Sequence, residues 1–205
     1  LNLWPFSDVV SSYNRHKSSW SAKRPPRVLE LGCGAGNNLW ALSEMGFEAV
    51  GIEQSQSAVA FAQERFRLLG LTIDVRTGSL LALPFEDSSF DFVLDRAALT
   101  HVSSNQFHLA LKEAYRVLAR PGVLNSFTLF GEGHPDRRLG EMMPDGSYSS
   151  FQGGVFSKAG PTSFFSQSRL VEAFEQFQDV TVKRVTIEVQ NVKFSEEYHV
   201  EAKKA

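Results

Sequence analysis

Val28-Leu29-Glu30-Leu31-Gly32-Cys33-Gly34-Ala35-Gly36 is the stretch on which the fold turns. A short apolar run carrying one acid breaks into three glycines, each two residues from the next. Such a run, closed by glycine, reads as a buried strand, here Arg27–Leu31. Glycines in the turn adopt backbone angles that other residues resist, and a ligand can approach the main chain there without meeting a Cβ. Gly36–Met45 then sets Leu39, Leu42 and Met45 on one face and predicts a helix. The unpaired N–H groups and positive dipole of its first turn suit a carboxylate or a phosphate. Glu53 closes the next strand, Ala49–Ile52, about 20 residues past the glycines, where a carboxylate accepts hydrogen bonds from both hydroxyls of a ribose. Otherwise Glu53 would only cap the helix that starts near Ser55 and Ser57.

Outward from this centre the chain alternates. Ser57–Leu69 has Val59, Ala62, Phe66 and Leu69 at helical spacing. Leu71–Arg76 and Phe90–Leu94 read as the third and fourth strands. Asn105–Leu118 is helical, with Phe107, Leu111, Ala114 and Leu118 inward, and Val123–Phe130 is the fifth strand. Strand–helix alternation predicts a parallel sheet covered by helices on both faces, because the crossovers must be right-handed. The rhythm breaks at residues 131–161, a Gly-, Ser- and Pro-rich stretch too long for a routine connection and expected to be a substrate loop or lid. Ser166–Phe177 resumes a helix, with Leu170, Phe174 and Phe177 inward. Val180–Val189 and Lys193–Ala202 form a terminal pair around Gln190-Asn191. Residues 1–26 predict a helical cap in which Val9, Val10, Tyr13 and His16 or Lys17 share a face. The whole of 1–205 is expected to be one domain.

Composition narrows the functional classes. A chain of 205 residues, 42% apolar and 21% charged, has the balance of a globular protein. Its formal charge of −2 argues against a nucleic-acid backbone as partner. Cys33 is the single cysteine, so no internal disulfide forms and a cysteine-based zinc site is not expected. No apolar run reaches membrane-spanning length and Leu1–Ser12 lacks a secretory pattern, so a cytoplasmic protein without a membrane partner is the expectation.

Further motifs follow in order: Gly78-Ser79-Leu80, Leu83-Pro84-Phe85, Ser89-Phe90-Asp91, and Glu113-Ala-Tyr-Arg-Val-Leu118 before Pro121-Gly122. With the glycine loop and Glu53, this ordered set resembles the class I S-adenosylmethionine-dependent methyltransferases across residues 27–130. The resemblance implies a Rossmann-like three-layer α/β/α sandwich. Its seven-stranded sheet would be mostly parallel, with the last strand, Glu197–Lys204, inserted antiparallel to its neighbours. It also implies S-adenosyl-L-methionine as cofactor and S-adenosyl-L-homocysteine as product. Glu30, Gly32, Cys33, Gly34 and Gly36 would line the methionine portion, Cys33 through its backbone only. Asn37 and Asn38 would add polar contacts or simply cap the helix. Glu53 would hold the ribose, Gln54 would flank the adenine, and Ser79 and Leu80 would sit at the adenine edge. Asp95, Arg96 and Ala97 would lie beside the transferable methyl. The sequence departs from the family at Ser79, where Asp is frequent, and at Ala119-Arg-Pro-Gly-Val123, which has one extra residue.

The acceptor side is less defined. His101, His134 and Asp95 are candidates for a catalytic base, needed only if the acceptor carries a proton. His101 would otherwise bond backbone at a helix start, and His134 would be a solvated loop residue. Arg137 and Arg138 would recognise an anionic group on the substrate, or remain in solvent. Tyr148 and Phe151, with Trp4 and Tyr13, would cover an apolar acceptor. No His and carboxylate set has metal-ligand spacing, so metal independence is expected. Asp95-Arg-Ala-Ala98 lacks the (Asp/Asn)-Pro-Pro-aromatic box of base-amine methylation, so a small molecule is the expected acceptor. A protein substrate, a non-catalytic S-adenosylmethionine-binding module and a nicotinamide-dependent oxidoreductase are the competing readings.

Overall fold

The computed structural model describes residues 3–20, 23–190 and 192–205. Helix α1 (Ser7–Ser19) precedes β1 (Arg27–Leu31), α2 (Asn37–Glu44), β2 (Glu48–Glu53), α3 (Gln56–Leu68) and β3 (Asp74–Thr77). Then come β4 (Phe90–Arg96), α4 (Ser104–Val117) and β5 (Leu118–Phe130). A 3-10 turn (Pro135–Leu139) and a small ribbon of β6 (Glu141–Met142) and β7 (Tyr148–Ser149) follow. Helix α5 (Gln167–Ala173) leads to β8 (Gln178–Val189) and β9 (Val192–Lys204).

The sheet order is β3-β2-β1-β4-β5-β9-β8. Strands β1 to β5 pair in parallel, while β9 is antiparallel to both β5 and β8. The seven-stranded, mostly parallel sheet with its last strand reversed is therefore present. From β1 the chain steps outward to β2 and β3, then returns to place β4 on the opposite side. That reversal opens a crevice above the carboxyl ends of β1 and β4, where open α/β sheets bind ligands.

Residue parity on the central strands builds the two outer layers. On β1, Val28 joins Val9, Tyr13, Leu39, Leu42 and Phe66 on the face covered by α1, α2 and α3. Leu29 and Leu31 join Phe107, Leu111, Leu170 and Phe174 on the face covered by α4 and α5. Each helix starts for a local reason. Ser55 Oγ accepts from Ala58 N at α3, and Ser103 and Gln106 form a reciprocal capping box at α4. Gly36 begins α2 at φ 75°, where a Cβ would run into the ring of Phe66.

Several expected details shift. The third strand begins at Asp74 instead of Leu71, the fourth runs on to Arg96, and the fifth starts at Leu118. Helix α5 stops at Ala173, though Phe174 and Phe177 remain buried beyond it. Leu69 lies past the end of α3 and is exposed. Asn191, in the expected terminal turn, falls outside the described residues. Tyr13 cannot cover an acceptor, because it is 0% exposed and packs edge-on against Phe47 and Phe92. Trp4 is an outer-surface residue set against Trp40, away from the crevice.

The far end of the molecule is tied by Lys204, the last residue of β9. Its buried ammonium donates to the carbonyls of Tyr115 (2.7 Å), Leu118 (2.7 Å) and Arg116 (3.4 Å) at the carboxyl end of α4. A cation there meets the negative end of the helix dipole and orphan carbonyls at once. Lys204→Met is expected to cost about 2–3 kcal/mol in urea unfolding, whereas Lys203→Met, an exposed ion-paired position, should cost little. Equal losses in the two variants would end the capping explanation.

Candidate active site

A cavity of about 670 Å³ occupies the crevice. That lies inside the roughly 300–1,000 Å³ typical of small-molecule sites. Gly32 forms its floor, Glu53, Gln54, Ser79, Leu80 and Leu81 one side, and Arg96, Ala97, Ala98 and His101 the other. Val102, Gln106 and Pro161 complete the lining.

The glycine loop and the β2 acid are joined directly. Glu53 Oε2 accepts from Gly34 N (3.1 Å) and Oε1 accepts from Ser55 N (2.8 Å), leaving lone pairs on both oxygens toward the cavity it lines. Gly32 has φ 63°, and a Cβ on it would stand 2.5 Å from the Cβ of Ala98. The floor is thus a cradle that only glycine leaves open. Ala97, at φ 66°, continues the tight turn after β4 and donates its N–H to Phe127 O. Ser79 Oγ accepts from Leu81 N (3.1 Å), which fixes the turn after β3 at the cavity wall.

Behind this surface lies a second set of expected residues. Glu30 is 2% exposed and does not line the cavity. Parity places it on the α1–α2 face, where Asn38 Nδ2 donates to Oε1 (2.7 Å) while Oε2 has no hydrogen-bond partner. Burial, opposed in part by the Asn38 bond, raises its carboxyl to about 8. Asn38 Oδ1 accepts from Phe6 N (3.0 Å) and Asn37 Oδ1 from Arg65 Nη1 (2.7 Å), so neither asparagine caps α2 through its side chain. Cys33 is buried, its thiol pushed far up by desolvation and packed where a Gly51 Cβ would be, so it offers backbone only.

Asp95 is a correction. Its carboxylate is 0% exposed; Oδ1 accepts from Ala98 N (2.8 Å) and Leu99 N (2.9 Å), and Oδ2 from the Ser126 hydroxyl. Burial raises it to about 6, but it does not line the cavity, and its bonds hold the turn after β4. Arg96 does line the cavity. It pairs with Asp8 at 3.4 Å and lies over the Phe6 ring at 4.0 Å, and its buried Nε has no hydrogen-bond partner.

Of the histidines, only His101 reaches the cavity. His134 is buried among Phe130, Phe156 and Phe164, and its Nδ1 accepts from Asp136 N (3.1 Å) at the start of the 3-10 turn. Burial pushes its imidazole below the ordinary value. It is a buried residue that does not line the cavity, not a solvated loop histidine. Arg137 donates to Glu132 O (2.9 Å) and lies over the Tyr148 ring at 5.0 Å. Arg138 is exposed, and Phe151 is buried with Phe156 and Phe164. None of Arg137, Arg138, Tyr148 and Phe151 lines the cavity.

The Glu113–Arg116 motif serves structure. Arg116 bonds Glu113 through Nε (2.8 Å) and Nη2 (2.9 Å), and also Leu83 O, Phe85 O and Asp87. Glu113 Oε2 accepts from Leu83 N (2.7 Å), so the pair clamps residues 83–87 against α4. Leu81, Ala98, Val102, Gln106 and Pro161 line the cavity without having been expected there. Gln106 carried a legible signal as the third residue of a capping box; Pro161 arrives from a distant loop and carried none.

Residues 28–122 match the family described as a methyltransferase domain. That match spans somewhat under half of the chain, and it lies on the strands and turns that build the crevice. The chain is 30% identical over 118 residues to a ubiquinone biosynthesis O-methyltransferase of Roseobacter denitrificans, covering 58% of this chain and 46% of that one. It is 34% identical over 117 residues to a 2-phytyl-1,4-naphtoquinone methyltransferase of Synechococcus elongatus, covering 54% and 49%. The aligned part spans about half the length of these relatives. An S-adenosylmethionine-dependent methyltransferase from Methanosarcina mazei superposes with a TM-score of 0.74 over 100% of this chain and 99% of that one, at 21% identity, a likeness of fold. No helix among the described residues is long and apolar enough to cross a membrane.

Proposed function

We propose that this domain transfers a methyl group from S-adenosyl-L-methionine to a small-molecule acceptor. One observation carries the reading: the β2 acid, the glycine floor and the turn after β3 line a single cavity at the point where the strand order reverses. The residues present fit the cofactor. Glu53 keeps acceptor lone pairs for two ribose hydroxyls, and Gln54, Ser79 and Leu80 line the same cavity, where the adenine would lie. Gly32 leaves open the space a side chain would fill. Glu30 supports the loop from behind through Asn38. Bound there, S-adenosyl-L-methionine supplies an electrophilic methyl carbon on a sulfonium.

The protein's own contribution is alignment. Arg96, Ala97 and Ala98, at the end of β4, would set where an acceptor can lie, with Val102, Gln106 and Pro161 lining the same cavity. Orientation alone accounts for several kcal/mol of barrier lowering, up to about 7–11 in the best cases. The relatives named for ubiquinone biosynthesis O-methylation and for a naphtoquinone support a small organic acceptor.

Calorimetry with S-adenosylhomocysteine tests the reading. The wild-type protein should bind it, and Glu53→Ala should weaken binding by about 1–3 kcal/mol, the range for a lost charged hydrogen bond. Failure of the wild-type protein to bind would overturn the assignment; unchanged affinity in the variant would remove Glu53 from the site.

A further inference from the structure

We propose that His101 is the catalytic base for a hydroxyl-bearing acceptor, acting through Nε2, and that Thr162 is the residue that positions it. This rests on the methyl-transfer reading and names the acceptor class for that site. Thr162 Oγ1 lies 3.2 Å from His101 Nδ1 and 3.2 Å from the carbonyl of Gly160. A carbonyl oxygen can only accept, so the single hydroxyl proton of Thr162 goes to Gly160. Only lone pairs then face Nδ1, which must carry the imidazole proton. The neutral ring is left with its free pair on Nε2.

The support is rigid. Thr162 is 0% exposed, and its backbone exchanges two 2.8 Å hydrogen bonds with Tyr148. Ser163 N donates to Thr100 O (2.8 Å), tying this strand of the long loop to the segment that carries His101. Phe130 and Phe156 meet the imidazole with ring centroids 5.8 and 6.1 Å away. The residue is exposed to the cavity on one side, and partial desolvation against these rings lowers its imidazole from the ordinary value.

Elimination points the same way. Glu53 is the one carboxylate among the described cavity-lining residues, and two backbone N–H groups already hold it. Asp95 is sealed. Arg96, the one lining cation among those residues, is paired with Asp8, so the acceptor end suits a neutral molecule. His101 takes up the hydroxyl proton while the acceptor oxygen forms its bond to the methyl carbon. The pair of the broken carbon–sulfur bond stays on sulfur, and the proton passes from Nε2 to solvent afterwards.

The test reads the ring directly. Long-range proton–nitrogen NMR of protein labelled with nitrogen-15 histidine should show His101 as one tautomer, Nδ1 protonated and Nε2 bare. Thr162→Ser should keep that signature and Thr162→Val should lose it; a merely structural Thr162 would leave the tautomer unchanged in both. 4-Nitrocatechol, whose spectrum reports hydroxyl ionisation, is added to the protein with S-adenosylhomocysteine. Its absorbance should move to the anion in the wild-type protein and not in His101→Gln. A protonated Nε2, or a spectrum that His101→Gln leaves unchanged, overturns the proposal. Calorimetry with S-adenosylhomocysteine on the wild-type protein separates this failure from failure of the cofactor assignment.

Discussion

Glu30→Gln should remove a fall in stability that the wild-type protein suffers between pH 4.5 and about 8. The carboxyl sits at its ordinary value of 4.5 when the chain is unfolded and is raised to about 8 in the folded protein, with burial as the main cause. Between those values the folded chain binds more protons at this site than the unfolded chain does. Stability must therefore fall as pH rises through the window, and the loss is complete above the folded value. Summed across the interval, the effect is on the order of 4 kcal/mol. Glutamine has nearly the shape of the protonated acid. Its carbonyl can still accept from Asn38 Nδ2, and its amide occupies the place of an oxygen that already has no partner. Urea unfolding of both proteins at pH 5 and pH 8 is the measurement. Asp95 and the other titrating groups are common to both and cancel in the difference. Parallel losses in the two proteins would show that Glu30 is ionised in the fold.

Gly32→Ala should both destabilise the domain and close its cofactor crevice. The new methyl would need a left-handed backbone angle, which costs about 1–2 kcal/mol for an L-residue. It would also meet Ala98 at 2.5 Å, adding about 1–3 kcal/mol of overpacking. Ala98 cannot easily retreat, because its N–H is held by the buried Asp95. Gly34→Ala is the matched control. It shares a positive φ of 52°, but a Cβ there meets nothing within 4 Å. The expected result is a loss of about 2–5 kcal/mol for Gly32→Ala, with S-adenosylhomocysteine affinity down at least about tenfold. Gly34→Ala should lose only the backbone share. Indistinguishable variants would mean that the Gly32 floor is not sterically required.

The parts of this fold that could be read from residues alone are those written locally. A strand, an acid, a glycine turn and a helix follow one another within 28–45, and Glu53 closes the very next strand. Parity then fixes which helices cover which face. What local pattern cannot show is how a polar side chain is used once the chain folds back. Asp95 looks like a methyl-site acid until Ala98, Leu99 and Ser126 claim its oxygens. His134 looks solvated until three phenylalanines enclose it. Tyr13 and Trp4, both aromatic and near the start, part company because one faces the sheet and the other faces out. Pro161 and Thr162 reach the site through backbone bonds to Tyr148 and to the segment after β4, pairings across tens of residues that leave no periodic trace.

Those attachments are made by main-chain groups: Ser163 N to Thr100 O, Phe165 N to Phe130 O, and the double link between Tyr148 and Thr162. Peptide groups hold whatever side chains hang from them. The region matched to the methyltransferase-domain family, residues 28–122, ends before residues 148–165 begin. Side chains in residues 148–165 can thus change while the backbone bonds that bring Pro161 to the cavity stay in place.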